Sequence, residues 1–180
     1  MSTTVYYIIG SIVFLGIGYA AYRQAYIPWK GRRTKVGDIA RVLRELKPSV
    51  PYFKGYMNSL WQISQHYEPS FARLTFDGLQ KVINLRCTPY VQEWYADLTR
   101  QRNNWGAKAY KLHADVLIDI FKDCGVHHQQ EELHHWRVDC IDRYQIQCKL
   151  EDGSPCRVIA PYWMYEDKIY ERGLVGPAET

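Results

Sequence analysis

The chain has 180 residues, 47% of them hydrophobic and 14% aromatic, with 23 basic and 19 acidic side chains for a net charge of +4. That length holds a membrane segment and one domain of roughly 145 residues, large enough for a packed core. Five basic residues (Arg23, Lys30, Arg32, Arg33 and Lys35) share one short stretch, and the other 18 face 19 acidic residues, so the positive excess is local and does not indicate a nucleic-acid surface.

Val5 to Tyr22, VYYIIGSIVFLGIGYAAY, carries no charged side chain. As a helix rising about 1.5 Å per residue it spans roughly 27 Å, close to the roughly 30 Å hydrocarbon core of a bilayer. Tyr6 and Tyr7 stand near one end, and Tyr19, Tyr22, Tyr26 and Trp29 near the other, where interfacial aromatics are expected. A secretory signal would need a positive segment before the apolar run, and Met1 to Thr4 have none. We read a single transmembrane anchor over 1–24, a basic juxtamembrane linker over 25–35 and an α+β domain over 36–180. Arg23, Trp29, Lys30, Arg32, Arg33 and Lys35 would meet the membrane surface, each cation contributing about 1 kcal/mol near anionic lipid. The positive-inside bias puts the domain on the cytoplasmic side of a bacterial inner membrane or the matrix side of a mitochondrial one. Ser11, Gly16, Gly18 and Ala20 are small enough to let a neighbouring helix approach closely. The expected partners are membrane lipid and other subunits of a membrane complex.

Asp38 opens a predicted amphipathic helix to about Lys47, with Ile39, Val42, Leu43 and Leu46 on one face. Phe53 to about Tyr67 predicts a second, with Tyr56, Leu60 and Ile63 on one face, stopped by Pro69. Thr75 is the predicted cap of a third, with Phe76, Leu79, Val82 and Ile83 inward. Thr88 followed by Pro89 predicts the start of a fourth, because threonine caps and proline suits the first helical position. A fifth runs from about Gly106 to Cys124, with Leu112, Val116, Leu117, Ile120 and Phe121 inward and Gly125 as its stop. After His135 the apolar period drops to two. Trp136 to Leu150 and Cys156 to Ala160 flank the turn Glu151-Asp152-Gly153-Ser154-Pro155 and predict a β-hairpin. Glu166-Asp167 predicts a turn, and Lys168 to Val175 a last strand. The fold class is α+β: a transmembrane helix, a helical section, then a small antiparallel meander.

Cys124, His127, Glu131 and His134 cluster in sequence, and Cys140 would make a fifth candidate metal ligand. Thiolate, imidazole and carboxylate together suit Zn²⁺ or iron, but a second half of a finger motif is absent, and a polar link between helix and strand explains the same residues. The five cysteines are odd in number and irregularly spaced, which fits a reducing compartment. Cys140, Cys148 and Cys156 fall on the apolar phase of the predicted strands. Asp115 and Asp119 read as a solvated helix edge and His113 as a boundary histidine. No Gly-rich phosphate loop, GxSxG or HExxH is present, so no catalytic residue and no cofactor is assigned.

The closing strands, through Tyr162-Trp163-Met164-Tyr165-Glu166-Asp167-Lys168-Ile169-Tyr170-Glu171, resemble those of the nuclear-transport-factor-two-like (SnoaL-like, cystatin-like) superfamily. The resemblance covers about a quarter of the chain and implies a curved sheet wrapped by helices around a cone-shaped pocket. That family includes isomerases and cyclases as well as non-catalytic, membrane-tethered members, so the fold leaves function open. The expected function is a non-catalytic, single-pass accessory or assembly subunit of a membrane complex. The alternative is a membrane-tethered small-molecule-binding or enzymatic domain with a cone-shaped pocket, its ligand unknown.

Overall fold

The computed structural model describes residues 39–178. The predicted anchor and linker, with Ser11, Gly16, Gly18, Ala20 and the basic border, lie outside the described residues. No helix among the described residues is long and apolar enough to cross a membrane.

Residues 39–46 are helical (α1) and lead into a 3-10 stretch, Lys47–Phe53. Then follow α2 (Met57–Gln65), α3 (Pro69–Arg86), α4 (Pro89–Thr99) and α5 (Ala107–Asp123). The strands are β1 (Val126–Gln129), β2 (Tyr144–Ile146), β3 (Cys156–Ala160), β4 (Tyr162–Tyr165), β5 (Lys168–Glu171) and β6 (Gly173–Pro177). The α+β class stands, but the strands are not a meander. They form two three-stranded sheets, ordered β1-β4-β5 and β2-β6-β3.

Several predicted elements differ in the structure. Pro69 begins α3 instead of ending α2: Glu68 caps it, and proline is tolerated at the first helical position. Thr75 is therefore mid-helix, its Oγ1 donating to Phe71 O at 2.9 Å. Helix α5 is rotated relative to its predicted face. Leu112 is 59% exposed, whereas Tyr110, Ala114 and Ile118 are buried with Leu117 and Phe121. The predicted hairpin is absent. Val138–Cys140 forms a 3-10 turn whose Val138 N donates to Asp152 Oδ1 at 3.0 Å, and Val138 and Ile141 are exposed. The three residues of β2 that do extend pair with β6, in parallel, and β3 pairs with β6 antiparallel. The predicted last strand breaks at Arg172, so β5 joins one sheet and β6 the other. Thr88-Pro89 does start α4, with Thr88 Oγ1 accepting from Val91 N. Glu166 and Asp167 do turn between β4 and β5, both at positive φ.

Two cores result. In the first, α2 packs on α5, Phe53 meets Phe121 with ring centres 5.0 Å apart, and Leu60, Ile63, Phe76 and Leu79 fill the space. The second holds Leu133, Trp136, Cys140, Tyr144, Cys156, Tyr162 and Val175. Strand β4 serves both, because alternate side chains of a strand face opposite ways. Trp163 and Tyr165 belong to the first core, Tyr162 and Met164 to the second.

Candidate binding cleft between α2 and the second sheet

Helix α2 starts without a local cap: Tyr56 occupies the cap position and makes no side-chain bond there. Its amides find an acceptor more than a hundred residues away. Glu171, 7% exposed at the end of β5, accepts from Gly55 N at 2.7 Å, Met57 N at 3.1 Å and Asn58 N at 2.9 Å. An anion at a helix N-terminus satisfies free amides and the positive end of the helix dipole. Burial raises the Glu171 carboxyl pKa, and the three amide bonds oppose that rise. Asn58 extends the network. Its Nδ2 donates to Arg172 O at 2.6 Å, and its Oδ1 accepts from Trp163 Nε1 at 3.0 Å. The first turn of α2 is thereby fixed to both β4 and the β5–β6 crossing.

This anchoring sets one wall of a cleft. One lobe, about 610 Å³, lies between α2 and the sheet, with Lys54, Gln62, Gln145, Gln147 and Arg172 in its lining. A second lobe, about 640 Å³, has Trp61, Gln65, Gln130, Arg157 and Ile159. Gln62 of α2 and Phe71 of α3 line both lobes. The opposite wall follows from strand alternation. Tyr144, Cys156 and Val175 turn into the second core, which leaves Gln145, Arg157 and Leu174 for the other face. Gln147 stays in the sheet just beyond β2 because its N donates to Val175 O at 2.9 Å.

Both acids in the lining hold helix starts. Besides Glu171, Glu68 accepts from Ser70 N at 3.2 Å and Phe71 N at 2.6 Å. The rest of the lining offers carboxamides, the cations Lys54, Arg157 and Arg172, the His66 imidazole and the rings of Trp61 and Phe71.

No family model, no curated protein and no solved structure matches the chain.

The candidate metal ligands do not converge, and among the described residues no group of three His, Cys, Asp or Glu side chains is placed to hold a metal ion. Cys124 is buried at the end of α5, its Sγ 3.9 Å from Leu43 O, and burial pushes its thiol up to about 11. His127 is exposed on β1, which pairs with β4 where sequence reading expected a polar link. Glu131 pairs with Arg143, Oε1 to Nε 2.7 Å, and His134 is exposed. Cys140 is buried in the second core, with Nη2 of Arg137 at 3.5 Å and of Arg143 at 3.6 Å. Cys148, expected on an apolar phase, is exposed. Asp115 and Asp119 are exposed, and His113 stacks on Trp105 with ring centres 3.9 Å apart.

Behind the second lobe, His128 lies 4.9 Å from the Trp61 ring and 5.2 Å from Trp163. Burial, then the Lys122 charge, lowers its pKa from the ordinary 6.5. The folded ring holds its proton less tightly than the unfolded one, so stability present above about pH 6.5 is lost as pH falls through the lower folded value. His128→Phe keeps the ring contacts and removes the titration. Urea unfolding at pH 7 and pH 5 should show a smaller loss in the variant than in the native chain, and an equal loss would assign the acid sensitivity elsewhere.

Proposed function

We propose that this protein is a non-catalytic, membrane-tethered accessory subunit, and that its domain binds a partner protein in the cleft between α2 and the second sheet. The tether rests on the uncharged run Val5–Tyr22 and its basic border. The observation that carries the docking role is the state of the cleft's carboxylates. Its two carboxylates, Glu171 and Glu68, are engaged as helix caps. Besides these the cleft offers carboxamides, cations, aromatic rings and the His66 imidazole, a set suited to recognition through hydrogen bonds and charge.

Site-specific photocrosslinking in native membranes tests this. A benzophenone side chain at Gln62 should capture one defined partner chain, and one at Leu112, on the exposed face of α5, should not. Crosslinks of equal yield from both positions, or none from Gln62, would remove the cleft from the assembly.

A further inference from the structure

We propose that the domain rests on an anionic lipid surface through the outer edge of α3 and the 3-10 stretch beside it. The inference rests on the membrane-tether reading above and assigns the face that the tethered domain turns to the bilayer.

The first reason is exposed apolar surface. Leu74, Lys81 and Leu85 follow one another at intervals of seven and four residues in α3, so they share one edge of the helix. Leu74 is 72% exposed and Leu85 79%, the highest values among the large apolar side chains of the described residues. Tyr52, half exposed, stands at the C-terminal end of the same helix, where the Arg86 guanidinium lies over its ring, 4.6 Å from the centre. Ser49 Oγ donates to Arg86 O at 2.8 Å and holds the 3-10 stretch against the helix end. Leucine tips can enter below lipid headgroups, and tyrosine suits the headgroup level itself. A guanidinium lying on a ring keeps N–H donors for phosphate.

The second reason is how charge divides along the domain. Residues 42–89 hold six basic side chains and three acidic ones, whereas residues 90–180 hold eleven and fifteen. The section that the predicted anchor leads into is therefore positive with its acids counted, and the rest of the domain is negative. The three acids of that section also have partners within the protein. Glu45 accepts from Thr88 Oγ1 at 2.6 Å, Glu68 caps α3, and Asp77 pairs with Arg102. An anionic leaflet attracts the first section and repels the second, which turns the exposed edge of α3 toward lipid.

The test places the polarity-sensitive dye NBD at Leu85→Cys in full-length protein whose exposed Cys148 is changed to serine. The protein is reconstituted in vesicles of phosphatidylcholine with about 30% phosphatidylglycerol, an anionic lipid. Dye emission should shift to the blue relative to neutral detergent and be quenched by doxyl-labelled lipid. At Val138→Cys, also an exposed position, neither should happen. Lys81→Glu should lower the ratio of docked to free domain by about tenfold, with a urea midpoint close to the native value. Raising salt to about 300 mM should lower the ratio as well. An unshifted dye at Leu85, an equal shift at Val138, or a shift that Lys81→Glu leaves intact overturns the inference. The first of these is also the result expected if a protein covers this face. Carbonate extraction of the same vesicles tests the tether separately. A chain that stays with the lipid while Leu85 is unshifted keeps the tether reading and loses this face. A chain released by carbonate loses the tether reading, and a Leu85 shift before extraction still places this face on lipid.

Discussion

Glu171→Ala is expected to destabilise the domain by about 3–5 kcal/mol. The substitution strips the acceptor from three amides at the start of α2, of Gly55, Met57 and Asn58. Hydrogen bonds to a charged group contribute about 1.5–3 kcal/mol each, though not additively, and the loss of a helix cap alone costs about 0.5–2 kcal/mol. A domain of this size is stable by only about 5–15 kcal/mol, so the urea midpoint should fall steeply. Burial opposes the carboxylate charge at this site, and Glu171→Gln separates the two effects. It keeps one acceptor oxygen and removes the charge, and a loss of about 1–2 kcal/mol is expected. A gain in stability in that variant would mean that desolvation outweighs capping.

Trp163→Ala should cost about 3–5 kcal/mol, the usual range for emptying a large buried aromatic site. Trp163 is fully buried and contacts both Trp61 and His128, with ring centres at 6.2 and 5.2 Å. Its Nε1 also donates to Asn58 Oδ1 at 3.0 Å, so truncation orphans a buried carboxamide oxygen. Trp163→Phe should lose about 1–2 kcal/mol, because the packing is largely kept and the hydrogen bond is not. A double-mutant cycle with Asn58→Ala isolates that bond. Additive losses in the cycle would show that the two side chains act independently. Because Asn58 and Gln62 stand one turn apart on α2, loosening Trp163 should also weaken partner crosslinking from Gln62.

The features legible in the sequence are those that adjacent residues determine. Thr88 and Pro89 specify the start of α4 with a hydroxyl and a fixed φ, and Glu166-Asp167 marks its own turn. Leu60 and Ile63 are buried as the 3.6-residue period predicts, and of the predicted face of α5 Leu117, Ile120 and Phe121 are buried while Leu112 and Val116 are not. What was not legible depends on distant partners. Nothing near Tyr144 announces that its strand will pair in parallel with Gly173–Val175, nor does the run of polar residues after Gly125 announce a strand beside Tyr162–Tyr165. The cleft was missed for the same reason. Its carboxamides are scattered over α2, the neighbourhood of β2 and the loop after β1, and each looks like a solvated side chain. One local signal was available. Helix α2 begins Tyr56-Met57-Asn58 with no Ser, Thr, Asp or Asn in the cap position, and a helix start without its own cap calls for an acceptor from elsewhere.

Mild-detergent extraction from the native membrane, followed by sizing and mass spectrometry of the co-migrating chains, distinguishes an accessory subunit from a free-standing protein. The 21.2 kDa chain is expected to travel in a defined assembly with at least one other protein, and Gly16→Leu or Gly18→Leu to diminish that assembly. Recovery of the chain by itself, as a monomer or a small homo-oligomer, would contradict the accessory-subunit reading and turn attention to small molecules as occupants of the cleft.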